Sequence, residues 1–176
     1  MQDLVYTAID FETTGTVPGW SVEPWQIGIA GISLTDGVVW RETHYLRVAA
    51  DRPFNKFAPG RHASIREELA CADTISELWD TLSPQLVGVP LIAHNIGTER
   101  AILRKAAPLA NFGPWFDTLK MAREALPGLA SYALGDVVAA LGLEGECRDA
   151  CPEGEWHDAL YDAIACGLVF RRLAAG

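Results

Sequence analysis

The sequence predicts an α/β domain in which a mixed central sheet, opened by an antiparallel hairpin, is flanked by helices. Strand-like apolar segments fill the first 48 residues, and helix-like periodicities fill most of the remainder, alternating with one or two further short apolar segments. At 176 residues the chain can bury one full hydrophobic core. We therefore expect a single domain over residues 1–176.

Three strand candidates come first, at residues 3–10, 26–34 and 38–48. The last two flank Asp36-Gly37, a dipeptide that favours a tight hairpin because both residues tolerate positive φ. A short apolar segment at residues 90–94 predicts another strand between helical stretches. Strands joined first by a hairpin and later by helices favour a sheet of mixed direction.

Helix signals begin near residue 64. Capping-box patterns at Ser64-x-x-Glu67 and Thr74-x-x-Glu77 each open a helical stretch, and the second stretch runs to about Gly88.

Further helices are predicted along the rest of the chain from start signals, stop signals and apolar spacing. Residues 144–155, rich in Gly, Pro and acidic side chains, predict a loop. The helix signals are a start near Thr98, a cap at Asp117, a stop at Gly142, and a final helix from about His157 to Leu173.

Charge and hydropathy exclude several classes of protein. The net charge of −9 disfavours broad adhesion to nucleic acid or anionic lipid, because phosphate affinity depends on Lys and Arg. A local site remains compatible with that charge. The chain contains no apolar run long enough to cross a membrane and no export signal at its start, so we expect a cytoplasmic location.

The four cysteines raise the question of a zinc site. Cys147-x-x-x-Cys151, followed by His157, could supply three ligands. This spacing matches no strong zinc pattern, and a fourth ligand is missing. Cys71 and Cys166 lie in helix-like apolar patterns, so we expect both to be reduced core residues.

Two carboxylates end the first apolar strand. Because successive side chains alternate across a strand, Asp10 and Glu12 point to one face and Phe11 to the opposite, buried face. Two acids this close repel unless a cation or a shared proton neutralises them, and Mg²⁺ prefers such oxygen ligands. From strand periodicity alone, a pair of solvated acids at a strand end is an equal alternative.

Three motifs in order resemble a known family. They are "DFETTG" at residues 10–15, "HN" at 94–95 followed by an acid and "IL", and "HDALYD" at 157–162. This series resembles the DEDDh branch of the DnaQ-like 3′–5′ exonucleases, which includes the proofreading epsilon subunit of bacterial replicative polymerase. The resemblance covers most of the chain and implies an exonuclease domain with an RNase H-like fold.

The resemblance implies metal-dependent hydrolysis of phosphodiester bonds at the 3′ end of single-stranded nucleic acid, with DNA favoured over RNA. Two divalent ions, Mg²⁺ or Mn²⁺, would lie in the site. Asp10 would bridge both ions, Glu12 and Asp162 would complete the first, and Glu99 would support the second. His157 would be the general base, because imidazole accepts protons near neutral pH.

His157 and Asp162 are five residues apart, about 140° on a continuous helix, so they would not share a face. We therefore expect His157 at the entrance of the last helix, where its side chain can reach the metals independently of Asp162.

The resemblance also implies substrate contacts. The turn formed by Thr13, Thr14 and Gly15 would meet the terminal nucleotide through backbone amides, although a plain turn glycine is an equal interpretation of Gly15. His62 and Ile65 fall near a family segment that packs against the terminal base. The best candidate for a wall of the site among the tryptophans is Trp156, which precedes His157; Trp20 could stack on bases, and Trp25 is expected in the core.

One residue departs from the family pattern. Glu99 stands where the family usually has aspartate, so its carboxylate reaches one methylene further. This difference leaves open a second interpretation, a catalytically weakened module that binds nucleic acid or a protein partner. The low positive charge also favours short substrates or help from a partner such as a polymerase.

Neighbouring polar residues have simpler explanations. His94 and Asn95 are expected to cap the following helix or to bond the strand end, and Asp117 to cap its own helix. Asp158 is expected as an acidic residue in the first turn of the last helix.

Overall fold

A computed structural model describes residues 4–175. Within that range five strands form one sheet in the order β3-β2-β1-β4-β5. β1 pairs antiparallel with β2, and β2 with β3, whereas β1–β4 and β4–β5 are parallel. The predicted mixed sheet and its hairpin are confirmed. The strands are β1 (Val5–Thr13), β2 (Pro24–Ser33), β3 (Gly37–Tyr45), β4 (Leu91–Ala93) and β5 (Trp115–Asp117).

Helices cover both faces of this sheet. A single 3₁₀ turn at His62–Ser64 precedes the first of them. The helices are α1 (Arg66–Cys71), α2 (Trp79–Leu86), α3 (Gly97–Ala106), α4 (Thr118–Ala125), α5 (Leu134–Leu141), α6 (Glu144–Ala150) and α7 (Ala159–Ala174).

Alternation along β1 divides the core between the two faces. Ala8 belongs to a cluster that includes Ile164 of α7, whereas Ile9 belongs to a cluster that includes Leu82 of α2 and Leu103 of α3. The long helix α7 lies close against the sheet because Gly167 carries no side chain: a Cβ there would overlap the side chain of Ile32. β1 is therefore buried on both sides up to its last residues, where the acidic pair lies.

Several local signals give the predicted structure. Thr74 and Glu77 form the reciprocal hydrogen bonds of a capping box, with Thr74 N to Glu77 Oε2 at 2.8 Å and Glu77 N to Thr74 Oγ1 at 3.2 Å. These bonds close a turn, however, and α2 begins only at Trp79, so the predicted start of that helix is wrong. Asp117 caps α4 by accepting from Leu119 N, and Gly142 ends α5 in the left-handed region at φ 66°.

Other predictions are wrong. Residues 144–150 form α6 rather than a loop, because Cys147 packs its side chain into the core and anchors this turn-rich segment. Ser64 does not cap α1; its hydroxyl donates to Arg61 O. Cys71 is exposed at the end of α1, whereas Cys166 is buried as expected. β5 was not predicted, since three residues are too few for a visible alternation.

Among the described residues, no helix is both long enough and apolar enough to span a bilayer.

Candidate active site

The acidic pair lies at the carboxyl end of the central strand β1. Asp10 pairs with Gly28 and Glu12 with Gln26 across the antiparallel β1–β2 ladder. Phe11 is buried on the opposite face, in the cluster that also holds Ile9. Glu12 is only 7% exposed. The prediction that the two carboxylates share a face is confirmed. The alternative of a freely solvated pair is wrong, because this end of the strand is covered.

The start of α7 covers it. Gly28 lies opposite Asp10, and a Cβ at Gly28 would overlap the backbone of Ala159, so only glycine allows this approach. The side chain of Gln26 also bonds the start of α7. Its Oε1 accepts from Ala159 N at 3.3 Å, and its Nε2 donates to Asp158 Oδ2 at 3.1 Å. Sequence reasoning did not identify Gln26 or Gly28. One signal could have identified Gly28, since a glycine inside a strand often marks the close approach of another backbone segment.

Asp158 is the N-cap of α7 and accepts from Leu160 N and Tyr161 N. His157 precedes it in the left-handed region at φ 69°, a conformation that few non-glycine residues adopt. This turn places the histidine outside the helix, as expected from the spacing to Asp162. One ligand atom each of Glu12, His157 and Asp162 lies within 4.8 Å of the others.

Glu99 joins the site from helix α3, and its charge acts on Asp10. It lies in the first turn of α3 and is 4% exposed. The turn before it is held by Asp117, whose Oδ1 accepts from Asn95 N at 3.1 Å while Asn95 takes a left-handed φ of 68°. The parallel strands β4 and β5 end side by side here, so that their following residues meet.

The same segment corrects the expectation for His94 and Asn95. The N-cap of α3 is Ile96, without a side-chain hydrogen bond, so neither residue caps that helix. Instead His94 bonds Thr118 Oγ1 at 2.9 Å through Nδ1 and Tyr132 O at 2.8 Å through Nε2. Burial lowers the pKa of His94, which favours its neutral imidazole form.

The pKa values of all four acids are raised, with burial as the largest cause in each case. Burial raises the pKa of Asp10 well above its ordinary range, and the charges of Asp162, Glu99 and Glu12 raise it further. Burial, followed by the charge of Asp162, raises the pKa of Glu12 to about 8. Burial is also the main cause that raises the pKa of Glu99 and of Asp162 to about 7. Asp10 is thus electrostatically coupled to all three other acids.

These residues fit a divalent cation. Glu99 Oε2 and Asp162 Oδ1 are buried and lack a hydrogen-bond partner among residues 4–175. Unpaired buried oxygens are unfavourable in a protein interior, and a cation that accepts oxygen ligands would compensate for them. The group of Glu12, His157 and Asp162 supplies further hard or borderline ligand atoms in the same place.

The raised pKa values predict how the metal-free protein responds to pH. The folded state keeps protons on Glu12, Glu99 and Asp162 that the unfolded chain releases at lower pH. Stability is therefore fully present below the unfolded pKa values, near 4, and is lost as pH rises through about 7 to 8. We expect the Tm in chelator to fall over this range, measured by scanning calorimetry.

Mn²⁺ should reverse the effect, raising the Tm more at pH 8 than at pH 5, because protons no longer compete for the carboxylates. A Tm in chelator that is flat or rises between pH 5 and pH 8 would contradict the proposed cluster.

The turn after β1 makes more hydrogen bonds within the protein than expected. Thr14 is fully buried at 0% exposed, and its N–H donates to Glu23 O at 2.8 Å. Gly15 N donates to Thr13 Oγ1 at 3.3 Å, and Gly15 has φ 66°, so a left-handed turn explains this glycine. Two of the amides thought to meet substrate are thus used within the protein. Substrate contact by Thr13, Thr14 and Gly15 stays a prediction.

His62 and Ile65 follow a loop that comes close to His157, and Trp156 directly precedes His157 in the chain. Gly60, with φ 87°, brings the preceding loop to the site: a Cβ there would lie 3.0 Å from His157 O and 2.8 Å from Trp25. His62 stacks on Phe54 with centroids 4.4 Å apart, and Ile65 is buried against the core residue Trp25. Trp25 is fully buried, as predicted.

Trp156, 39% exposed, packs edge-on against Tyr161 at 5.0 Å. It stays a candidate wall of the site.

The zinc interpretation finds no support in the described part of the chain. The one group of possible metal ligands found there consists of Glu12, His157 and Asp162, and it includes neither Cys147 nor Cys151. Cys147 lies in the core, and burial raises the pKa of its thiol to about 11, which disfavours the thiolate that zinc binds.

The sequence matches the RNase T family, described as exonuclease, over residues 7–170. The chain belongs to this exonuclease family. No curated protein gave a significant match.

Solved structures agree with the family at the level of the fold. Exonuclease X, in complex with 5′ overhanging duplex DNA, is 24% identical, with a TM-score of 0.68 over 97% of this chain and 91% of that chain. The nuclease domain of 3′hExo, a DEDDh family member bound to rAMP, is 16% identical, with a TM-score of 0.74 over 99% and 93%. S. pombe Pop2p, in its Mg²⁺ and Mn²⁺ bound form, is 15% identical, with a TM-score of 0.74 over 97% and 82%. The exonuclease fold predicted from the motifs is confirmed.

Proposed function

We propose that this exonuclease hydrolyses phosphodiester bonds at the 3′ end of single-stranded nucleic acid and releases nucleoside monophosphates. The observation that carries the proposal is the convergence of Asp10, Glu12, Glu99 and Asp162, from three separate parts of the sequence, beside His157. Clustered and desolvated carboxylates are destabilising without cations, so their presence in one buried group favours a role in binding cations.

Two divalent cations, Mg²⁺ or Mn²⁺, are the proposed cofactors. Asp10, Glu12, Asp162 and Glu99 would hold them, and the unpaired oxygens of Glu99 and Asp162 support this assignment. When bound, such ions supply the positive charge that stabilises an in-line phosphoryl transfer.

The protein's own groups would position and deprotonate the reactants. His157, outside the helix and within 4.8 Å of Glu12 and Asp162, is placed to accept the proton of the attacking water. The Gln26 side chain and the Asp158 cap hold this turn and Asp162 in a fixed relation to β1. This pre-organisation, built from side-chain hydrogen bonds between β2 and the start of α7, favours catalysis because little rearrangement remains at the moment of reaction.

A binding module without catalysis is less consistent with these contacts. Nucleic acid repels unpaired carboxylates, so a site that only bound phosphate would favour Lys and Arg in place of this cluster. The replacement of aspartate by Glu99 was the reason to consider such a module. Glu99 is nevertheless buried and coupled to Asp10, where a carboxylate with a longer reach can still contribute a ligand.

The substrate proposal rests on the family. One structural relative was solved with duplex DNA and another with rAMP, so both nucleic acids are represented among similar folds. The preference for DNA, a polymerase or other protein partner and the cytoplasmic location stay predictions.

Degradation of end-labelled strands tests the proposal. We expect single-stranded DNA labelled at its 5′ end to shorten one nucleotide at a time in Mg²⁺ or Mn²⁺, and not in chelator. Matched RNA strands measure the preference between the two substrates. Shortening from the 5′ end, or no release of mononucleotides with either metal, would contradict the proposed function.

Glu99 provides a separate prediction. We expect Glu99→Asp to keep or raise the turnover number, because it restores the family's side chain. Glu99→Ala should lower turnover by about 10- to 100-fold, the loss typical for residues that support a metal. Steady-state rates at several Mn²⁺ concentrations measure both effects. If Glu99→Ala has the parent's rate and the parent's Mn²⁺ dependence, Glu99 has no role at the metals.

A further inference from the structure

A buried arginine lies under the turn that follows the catalytic strand. Arg52 is 2% exposed, although it belongs to an irregular loop far from the acids in sequence. Its guanidinium donates to Thr14 Oγ1 at 3.2 Å, to Ser21 O, and to Glu23 Oε1 at 3.2 Å. Because Thr14 stands two residues after Glu12, Arg52 ties the loop of residues 14–23 to the end of β1.

That loop presents one exposed aromatic side chain in a fixed turn. Val17 and Trp20 form an isolated bridge, with Trp20 N donating to Val17 O at 3.1 Å. Pro18 and Gly19 occupy the centre of the turn, and Gly19 has φ 81°, the combination typical of a type II turn. The backbone that carries Trp20 is therefore closed at its tip by this turn and held at its base by Arg52.

The indole of Trp20 lies on the guanidinium. The Arg52 Cζ atom is 4.9 Å from the ring centroid, which is stacking distance for a cation on an aromatic face. The residue is nevertheless 49% exposed, so the guanidinium covers one side of the ring and leaves much of the rest open to solvent. A single exposed tryptophan is common and needs no explanation by itself. This one is already held against a buried, hydrogen-bonded guanidinium, so its side chain loses little conformational entropy when a flat ligand stacks on it.

The loop that contributes Arg52 also carries exposed groups suited to a nucleic-acid strand. Asn55 joins it to the first loop, donating from Nδ2 to Thr16 O at 2.8 Å. Next to Asn55, the ammonium of Lys56 lies 4.8 Å from the ring centroid of the exposed Phe57. A cation beside exposed aromatic rings is the composition that binds single strands, through phosphate contacts and base stacking.

We propose that Trp20, backed by Arg52, is a stacking platform for a base upstream of the 3′-terminal nucleotide. This inference rests on the proposed exonuclease function, which puts the terminal nucleotide at Glu12 and the Thr13–Gly15 turn. Trp20 belongs to the loop that leaves this turn, and Arg52 contacts both its ring and the hydroxyl of Thr14. These two contacts put the ring next to the turn that would hold the terminal nucleotide, so the base that it would take is an upstream one.

Binding is measured first and does not depend on turnover. A fluorescein-labelled single-stranded DNA of twelve nucleotides is titrated with the Asp10→Asn protein, with and without Trp20→Ala, in Mg²⁺ and at low salt. We expect Trp20→Ala to weaken binding by about 10-fold, as lost base stacking would. Trp20→Phe should retain most of the affinity and Trp20→Leu should not, because leucine is apolar but has no π face.

The exposed Leu109 provides the matched control. It is fully exposed on a different loop, so Leu109→Ala should bind like the parent. Equal affinity of the Trp20→Ala protein and the parent, or an equal loss in Trp20→Leu and Trp20→Phe, would overturn the platform.

Kinetics then assign the base to its position. The value of kcat/KM is compared between the same twelve-nucleotide strand and the 4-nitrophenyl ester of thymidine 5′-monophosphate, which has one base only. We expect Trp20→Ala to lower the ratio of strand to ester by about 10-fold. An equal loss on both substrates would overturn the assignment to an upstream base. If the parent hydrolyses neither substrate, the proposed function fails, whereas the binding comparison still decides the platform.

Discussion

We expect Asp10→Asn to lower the rate of 3′-end hydrolysis by about 10³-fold or more. The side chain keeps its shape but loses the charge that is coupled to Asp162, Glu99 and Glu12. Metal-supported charge stabilisation amounts to several kcal/mol, and each ~1.4 kcal/mol corresponds to a tenfold rate. Rates of mononucleotide release in saturating Mg²⁺ measure the loss.

The same variant should be more stable than the parent when chelator is present. Burial and three neighbouring acids disfavour the charged form of Asp10, so a neutral amide removes an unfavourable interaction. Asp136→Asn is the matched control, since Asp136 is exposed on α5 and should change neither the rate nor the Tm. A parent-like rate in Asp10→Asn would remove the proposed mechanism, and a lower Tm in chelator would contradict the electrostatic account of the site.

We expect His157→Ala to lower kcat by about 10²- to 10⁴-fold, the range for loss of a general base. The variant should also lose the part of the pH–rate profile that depends on a general base. The Tm increase caused by Mn²⁺ should remain, because the four carboxylates are intact. This combination distinguishes a base from a metal ligand, which matters because His157 lies within 4.8 Å of Glu12 and Asp162.

His44→Ala is the control for the histidine. His44 lies on the edge strand β3, where its Nε2 bonds Glu42 Oε1 at 2.5 Å, away from the acidic cluster. It should leave the rate and its pH dependence unchanged. Loss of the Mn²⁺-dependent increase in Tm in His157→Ala would instead assign the imidazole to the metals, and an unchanged pH–rate profile would exclude it as the base.

Patterns of neighbouring residues predicted the strands that position the acidic pair. The apolar run that predicted a strand over residues 3–10 and the Asp36-Gly37 hairpin signal depend on side chains close together in sequence. β1 and the β2–β3 hairpin confirm both predictions, although residue 3 lies outside the described residues and Gly37, but not Asp36, takes a positive φ. The position of His157 just outside the last helix could also be predicted locally, because two residues five positions apart, such as His157 and Asp162, do not share a face of a helix. These features depend on residues that are adjacent along the chain, which is why they could be predicted from it.

Short or irregular segments could not be predicted in this way. Helix α6 exists because Cys147 packs into the core, although its own sequence of glycine and acids reads as a loop. Strand β5 is defined only by its parallel partner β4. In both segments contacts between distant residues override local preference.

By itself, the sequence determined the alternating strands, the hairpin, and three acid-containing motifs whose order identifies an exonuclease. Only the tertiary structure decided how these motifs meet: Gly28 admits the start of α7, Gln26 fastens it, and the neighbouring acids become buried. It also decided that Arg52, from a loop far along the chain, is buried and donates to Thr14 in the turn that follows β1. The physical reason is that periodicity is a property of neighbours along the chain, whereas burial, pKa and long-range hydrogen bonds depend on which distant segments pack together.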